Sequence, residues 1–196
     1  MNPKLQVIIS STRPGRIGPT VADWFYEYAR KHGQFDVDLV DLADFNLPLL
    51  DEPKHPRAQD YQHEHTKAWS RSVARADAYV FVAPEYNYSP TPALLNAFNY
   101  VYSEWNYKPC SFVSYGGVSG GLRAVQAARL QATTLKMMPL VESVPIPMVF
   151  NLLDDDGVFH SNALIDQSAE TLLNELRVWA DGMKAMRQQQ EEKEAA

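Results

Sequence analysis

The alternation of short apolar runs with longer amphipathic stretches constrains this fold more than any other feature. Leu5–Ser10, Ala78–Ala83 and Cys110–Tyr115 are rich in β-branched and aromatic residues, and turn-forming residues follow each of them. Such runs are typical of strands buried on both faces of a sheet. Stretches with helical spacing separate them, among them Gly18–His32, with Gly33 at the expected helix end. The pattern predicts an α/β fold with a parallel sheet and helices on both faces.

Two further segments bring the predicted sheet to five strands. Phe35–Asp41 alternates apolar and polar residues, and Leu140–Val149 is interpreted as a fifth strand that Pro145 and Pro147 interrupt. Right-handed crossovers between parallel strands then favour a doubly wound sheet. The remaining predicted helices are Tyr61–Arg75, Pro92–Trp105, Gly120–Met138 and Asn162–Met186.

Length and charge narrow the possible classes of protein. A chain of 196 residues favours one domain, here 1–186, followed by a charged C-terminal tail over 187–196. The net charge of −6 and the lack of a basic run argue against nucleic-acid binding. No apolar run is long enough to span a bilayer, so we expect no membrane association. The single cysteine, Cys110, excludes an internal disulfide and a multi-cysteine metal site, which favours a cytoplasmic location and no bound metal.

In a doubly wound sheet, ligands bind beyond the carboxyl ends of the strands, so the loops that follow strands are the first candidates for a site. The first such loop, residues 10–20, has the sequence SSTRPGRIGPT and opens a helix. The hydroxyls of Ser10–Thr12 and the N–H groups at the helix start suit a phosphate, and Arg13 or Arg16 adds positive charge. An ordinary strand-to-helix turn remains the alternative.

The second loop, residues 84–92, has the sequence PEYNYSPTP. Tyr86 and Tyr88 offer ring faces, and Asn87 offers a paired donor and acceptor. The three prolines hold the loop stiff, so a flat polar ligand would lose little entropy in ordering it. A loop that packs its tyrosines on its own protein remains the alternative.

The third loop, residues 114–121, has the sequence SYGGVSGG, and its four glycines allow close approach of the backbone to a bulky ligand. It also contains a G-x-S-x-G pattern around Ser119, followed along the chain by the three aspartates Asp154–Asp156 and by His160. This order favours, as an alternative, a serine hydrolase with Ser119 as nucleophile. Against that alternative, these aspartates and His160 are expected to lie in one turn, whereas a triad usually draws its acid and its base from separate loops.

Together the three loops predict a binding site for a mononucleotide that has a flat ring. Three motifs follow one another along the chain, namely S-x-R, PEYN-x-S-x-P-x-x-L-x-N-A and SYGG-x-x-GG. In this order they resemble the motifs of the NADPH-dependent FMN reductase family. The stretch LLNAFNYVYSEWNYKPCSFVSYGG and the WSR at Trp69–Arg71 are similar to quinone and azo-dye reductases. The resemblance implies a flavodoxin-like fold with the strand order 2-1-3-4-5. The chain departs from the usual family pattern at Ser10, Arg16 and Leu95.

The resemblance also implies which residues contact FMN. The first loop matches the phosphate-binding segment, the second lies along the isoalloxazine ring, and the third lies on its pyrimidine side. The FMN-binding residues that it implies are Ser11, Arg13, Arg16, Ile17, Gly18, Pro84, Glu85, Tyr86, Asn87, Ser114, Tyr115, Gly116 and Gly117.

The implied reaction has two steps. NADPH or NADH passes a hydride to FMN and leaves, and a quinone, an azo compound or free flavin then takes its place and is reduced. No side chain is required as a catalytic acid or base, because the cofactor carries the chemistry. A flavodoxin-type electron carrier without NAD(P)H turnover stays open as an alternative.

The resemblance further suggests a homodimer or homotetramer. The segment Asn96–Trp105 has more large rings than one buried helix face needs. Exposed aromatic surface often marks an interface between subunits.

Overall fold

The computed structural model describes residues 2–194. All strand pairs in its sheet are parallel. The order β2-β1-β3-β4, with the last strand position beside β4, confirms the predicted 2-1-3-4-5 arrangement. The strands are β1 (Lys4–Ile9), β2 (Asp36–Asp41), β3 (Ala78–Pro84), β4 (Pro109–Tyr115), β5 (Met138–Pro139) and β6 (Val144–Ile146).

Five helices cover the two faces of the sheet. One face packs against α1 and α5 through residues such as Phe25 and Leu172, and the other packs against α2, α3 and α4 through residues such as Trp69 and Phe98. Every residue of β3 and β4 is buried, as their apolar sequences predict. The helices are α1 (Gly18–His32), α2 (Glu64–Ala74), α3 (Pro92–Tyr100), α4 (Leu122–Thr134) and α5 (Ala163–Glu194), and the short 3₁₀ turns are Leu42–Phe45, Pro56–Ala58, Ser103–Trp105 and Val149–Leu152.

The prediction of one fifth strand over Leu140–Val149 is wrong in detail. Two short segments, β5 and β6, each pair with β4, and the chain leaves the sheet between them. Pro139 and Pro145 lack the N–H that a continuous ladder needs, so proline is tolerated only at a sheet edge such as this one.

The aromatic residues of the segment Asn96–Trp105 serve the core, so the reason for expecting a subunit contact there is wrong. The helix ends at Tyr100, and the side chains of Phe98, Tyr100 and Trp105 are at most 1% exposed. The Tyr100 hydroxyl donates to Asp51 at 3.0 Å, and Trp105 packs edge-on against Trp69. The number of subunits stays a prediction without this support.

Helix α5 continues through most of the segment expected to form a charged tail. In this part, Arg187 donates to Asp77 and to the Tyr107 carbonyl, both at 2.7 Å. No helix within residues 2–194 combines the length and apolar character that crossing a membrane requires.

Candidate cofactor site

A cavity of about 270 Å³ lies beyond the carboxyl ends of β1, β3 and β4, where the topology predicts a ligand site. The structure brings nine of the predicted FMN-binding residues together around it. The lining residues are Arg13, Arg16, Ile17, Pro84, Glu85, Tyr86, Tyr115, Gly116 and Gly117, together with Val149 and Phe150.

The remaining four predicted residues lie beside the cavity and do not line it. Ser11 and Ser114 are buried beneath the loops, and the Ser114 hydroxyl donates to the Gly120 carbonyl at 2.7 Å. Gly18 is buried at the start of α1, and Asn87 is exposed at the tip of the second loop. These four residues shape the loops that carry the lining residues.

The first loop is held rigidly at its start. The Ser10 hydroxyl donates to the Val82 carbonyl at 2.6 Å, and the Thr91 hydroxyl donates to the Ser10 carbonyl at 2.5 Å. Both bonds are buried, so they join the ends of β1 and β3 to the start of α3. The expectation that the Ser10 hydroxyl faces a phosphate is therefore wrong, because that hydroxyl is committed within the protein.

Gly18 permits the close packing at the start of α1. A Cβ atom at this position would overlap the Ser11 hydroxyl and come within 2.9 Å of the Tyr115 hydroxyl. The helix begins without a side-chain cap, and Pro19 provides no N–H. The other free N–H groups of this first turn are thus open to an anion. By contrast, the first N–H groups of α3 and α5 are satisfied by Thr91 and Asn162.

The two arginines of the first loop differ in their partners. Arg16 donates to both carboxylate oxygens of Asp41, at 2.7 and 2.5 Å, and also to the Ser11 carbonyl. The hydrogen bond to Asp41 raises the pKa of Arg16, against the opposing effect of burial. Arg13 is exposed at the cavity, and across the described residues it has no hydrogen-bonded or ion-paired side-chain partner. Arg13 is therefore the cation that remains available to a ligand.

The second loop is a two-residue hairpin. Tyr86 and Ser89 exchange two backbone hydrogen bonds, at 2.9 and 3.0 Å, around Asn87 and Tyr88. Asn87 and Tyr88 both have positive φ, at 51° and 67°, which is the conformation of a type I′ turn. Tyr88 packs under Arg123, whose guanidinium carbon lies 4.2 Å from the ring centroid. Of the two predicted ring faces, only Tyr86 lines the cavity.

Glu85 links the second loop to the third. Its carboxylate forms an ion pair with Arg123 at 3.1 Å and accepts the Arg123 backbone N–H at 3.0 Å. Burial acts to raise the pKa of Glu85, but the side-chain bond from Arg123 and the N–H groups of α4 outweigh it and lower that pKa. Glu85 is therefore an ionised cap for α4, and it is not suited to donate a proton.

The third loop needs glycine at two positions only. Gly120 and Gly121 have positive φ, at 58° and 80°, and a Cβ atom on Gly121 would lie 2.9 Å from that of Ser114. Gly117 has no positive φ, and a Cβ atom there would meet no atom within 4 Å. Close approach to a ligand is thus a feature of Gly117 and its neighbour Gly116, whereas the last two glycines are required by the turn.

The residues of the suspected hydrolase triad do not assemble. The Ser119 hydroxyl donates to the Glu85 carboxylate, 3.2 Å from each oxygen. His160 pairs with Asp154 at 2.7 Å on an exposed turn. Within residues 2–194, no histidine is within hydrogen-bonding distance of Ser119. The Glu85 carboxylate that accepts its hydroxyl proton has a lowered pKa and is a weak base, so this serine lacks the imidazole that a triad uses for activation.

Val149 and Phe150 were not predicted as lining residues, because the fifth strand was expected to extend to Val149 and the loop after it was not considered. They lie in a 3₁₀ turn that follows β6. The rule that ligands meet the carboxyl ends of strands also covers this fourth loop. The two prolines shorten the strand, so this loop begins earlier than the apolar run indicated.

A comparison with known families agrees with this geometry. The profile of the NADPH-dependent FMN reductase family matches residues 3–151. The chain belongs to this family. The match spans all four loops around the cavity up to Phe150. The protein is therefore an oxidoreductase of the type that uses NAD(P)H and FMN.

Individual relatives lead to the same family. An NAD(P)H-dependent FMN reductase of Schizosaccharomyces pombe is 39% identical over 150 residues, which cover 75% of each chain. A quinone reductase of Pseudomonas putida is 31% identical over 159 residues, covering 77% of this chain and 81% of the relative. The solved structure of FerB, a flavoenzyme NAD(P)H:(acceptor) oxidoreductase of Paracoccus denitrificans, has a TM-score of 0.74 at 15% identity, with 92% of this chain and 98% of FerB covered. This last likeness supports the flavodoxin-like fold.

Proposed function

We propose that this FMN reductase family member uses the cavity beyond β1, β3 and β4 to hold FMN while it transfers electrons from NADPH or NADH to quinones, azo compounds or free flavin. The observation that carries this proposal is the pairing of Arg13 with the uncapped start of α1 at one cavity. A free guanidinium and free N–H groups together suit the phosphate of a mononucleotide.

The rest of the cavity suits a flat polar ring. Tyr86 and Tyr115 supply aromatic surface, and the backbone of Gly116 and Gly117 allows close approach. When bound, FMN supplies the acceptance and donation of hydride. The protein holds and orients the reactants.

Glu85 and Tyr115, two polar side chains of the cavity, are not suited to exchange protons with a reactant near neutral pH. The pKa of Glu85 is lowered, because the bonds from Arg123 and α4 outweigh the effect of burial. Burial raises the pKa of Tyr115 to about 12. This combination agrees with a role in binding and orientation, with no catalytic acid or base.

We further propose a cytoplasmic protein that forms a homodimer or homotetramer. The single cysteine, Cys110, is buried, and burial raises the pKa of its thiol to about 12, which suits a chain that makes no disulfide. Exposed apolar side chains such as Leu130 and Val178 lie outside the core and are candidates for subunit contact. Sedimentation at micromolar concentration tests the assembly, because a species of only 22.2 kDa would contradict it.

The test of the function is one titration and one assay. Adding FMN to the purified protein should quench protein fluorescence and perturb the flavin absorbance bands. The FMN-loaded protein should then oxidise NADPH or NADH when a quinone is present. FMN binding without NAD(P)H oxidation would favour the electron carrier, and no FMN binding would refute the proposal.

A further inference from the structure

Phe150 is the exception among the eight phenylalanines of this chain. The other seven are buried or half-buried, whereas Phe150 is 68% exposed. In the described residues it also has no aromatic ring packed against it, unlike Phe159, which packs against Trp24. An exposed ring that also lines a cavity is a candidate contact for a ligand, because it presents apolar aromatic surface where a ligand would bind.

The position of Phe150 is fixed by its backbone. The N–H of Met148 donates to the Gly117 carbonyl at 2.9 Å, and the N–H of Val149 donates to the Gly116 carbonyl at 3.1 Å. Met148 has φ of 48°, and this turn directs Val149 into the core and leaves Phe150 at the surface. The ring is therefore presented by a turn that is tied to the third loop at two points.

Phe150 gives the cavity an apolar wall. The charged lining residues come from the loops after β1 and β3, namely Arg13, Arg16 and Glu85. The loop after β6 adds only Val149 and Phe150. Since Phe150 both lines the cavity and is largely exposed, its ring lies at the mouth, where a second reactant would enter.

We propose that Phe150 determines the choice of electron acceptor by packing its ring against flat aromatic acceptors. The inference rests on the proposed function, because it assigns an acceptor class to the same cavity. Aromatic pairs gain dispersion and quadrupole energy in addition to the apolar area that they bury. A small, highly charged acceptor gains neither, so the ring favours quinones and related aromatic molecules over such ions.

The test uses the FMN-loaded protein with two acceptors, menadione and ferricyanide. In Phe150→Ala, the ratio of kcat/KM for menadione to kcat/KM for ferricyanide should fall about tenfold, as expected from the loss of one aromatic contact and its buried area. Phe150→Trp should keep the ratio within about threefold of the parent, since a flat ring is retained. Leu164→Ala is the matched control, because Leu164 is 73% exposed and does not line this cavity.

Three results would overturn the inference. One is an unchanged ratio in Phe150→Ala, and another is an equal fall of the ratio in Leu164→Ala. The third is a rise in the FMN dissociation constant of Phe150→Ala that matches the fall in activity, which would make Phe150 part of the FMN site. Failure of the parent protein to bind FMN or to oxidise NAD(P)H would instead refute the proposed function, and it would be seen before any variant is made.

Discussion

The two ends of the sheet differ in how they hold a basic side chain. At the amino ends of the strands, Lys108 is buried and donates to the carbonyls of Val73 and Ala74 and to the Tyr79 hydroxyl, each at 3.1 Å. At the carboxyl ends, Arg13 is exposed beside a cavity and has no side-chain partner among the described residues. One basic side chain completes the fold, whereas the other is left for a ligand.

This difference shows how a basic residue that is available to a ligand is distinguished from one that serves the fold. Beside Lys108, Arg187 and Asp77 form an ion pair at 2.7 Å, with each side chain at most 20% exposed. Leaving any of these groups unpaired would incur the cost of a buried polar group without a partner. Arg13 incurs no such cost, because it is exposed to water until a ligand binds.

The largest expected effect distinguishes a glycine that the turn of the third loop requires from a glycine that lines the cavity. Gly121→Val should lower the free energy of unfolding by about 2–6 kcal/mol, the sum of left-handed strain and overpacking. Gly117→Val is the matched control and should keep its stability while it weakens FMN binding, because its side chain would enter the cavity. Chemical denaturation and FMN titration measure the two effects. Equal destabilisation of both variants would contradict this division.

Lys108 should affect how the free energy of unfolding depends on pH. Burial, reinforced by the positive charge of Arg187, lowers the pKa of Lys108 to about 7 from an ordinary value of 10.5. Between these values the unfolded chain binds a proton that the folded chain does not, so stability should rise with pH by up to about 1.4 kcal/mol per unit.

Lys108→Met is the variant that isolates this effect. It should remove the rise in stability between about pH 7 and pH 10 that the Lys108 pKa predicts. Denaturation curves at several pH values compare the parent with the variant. The same slope in both proteins would show that Lys108 stays charged in the fold.

The functional cation should affect binding and leave stability unchanged. Arg13→Ala should weaken FMN binding about 10- to 150-fold, the equivalent of one charge-assisted hydrogen bond of about 1.5–3 kcal/mol. Riboflavin binding should change far less, because riboflavin lacks the phosphate. Fluorescence titration with both ligands makes the comparison, and equal losses would place Arg13 away from the phosphate.

Arg16→Ala provides the contrast within the same loop. It removes the partner of Asp41, whose side chain is only 19% exposed, and should therefore lower the free energy of unfolding by about 1–3 kcal/mol. Thermal denaturation measures this loss. If Arg16→Ala kept full stability while Arg13→Ala lost it, the two arginines would have been assigned in reverse.

The smallest expected effect concerns Ser119. Ser119→Ala removes one of several hydrogen bonds to Glu85, so NAD(P)H-dependent quinone reduction should stay within about tenfold of the parent. A fluorophosphonate probe should leave Ser119 unlabelled, since no histidine among the described residues contacts it and the Glu85 carboxylate is a weak base. Stoichiometric labelling in a protein that does not bind FMN would instead favour the hydrolase.

Much of the fold could be predicted because its signals are local. The limits of α1 follow from Gly18, Pro19 and the Gly33 cap, all of which act on adjacent residues. The fifth strand was less predictable, since the same apolar run could form one strand or two. The sheet decides between them, because the chain pairs with β4 at Met138–Pro139 and again at Val144–Ile146 and leaves it in between.

The sequence by itself determined the alternation of strands and helices, the three loops at the carboxyl ends and the residue types that suit a mononucleotide, because periodicity and turn chemistry act over a few residues. The strand order was implied by the family resemblance. The tertiary structure alone decided which arginine is free, which glycines are required and where Phe150 stands. Asp41 lies 25 residues from Arg16, and Ser119 lies 34 residues from Glu85. Such partners are set by the packing of distant segments, so the pattern within one segment does not predict them.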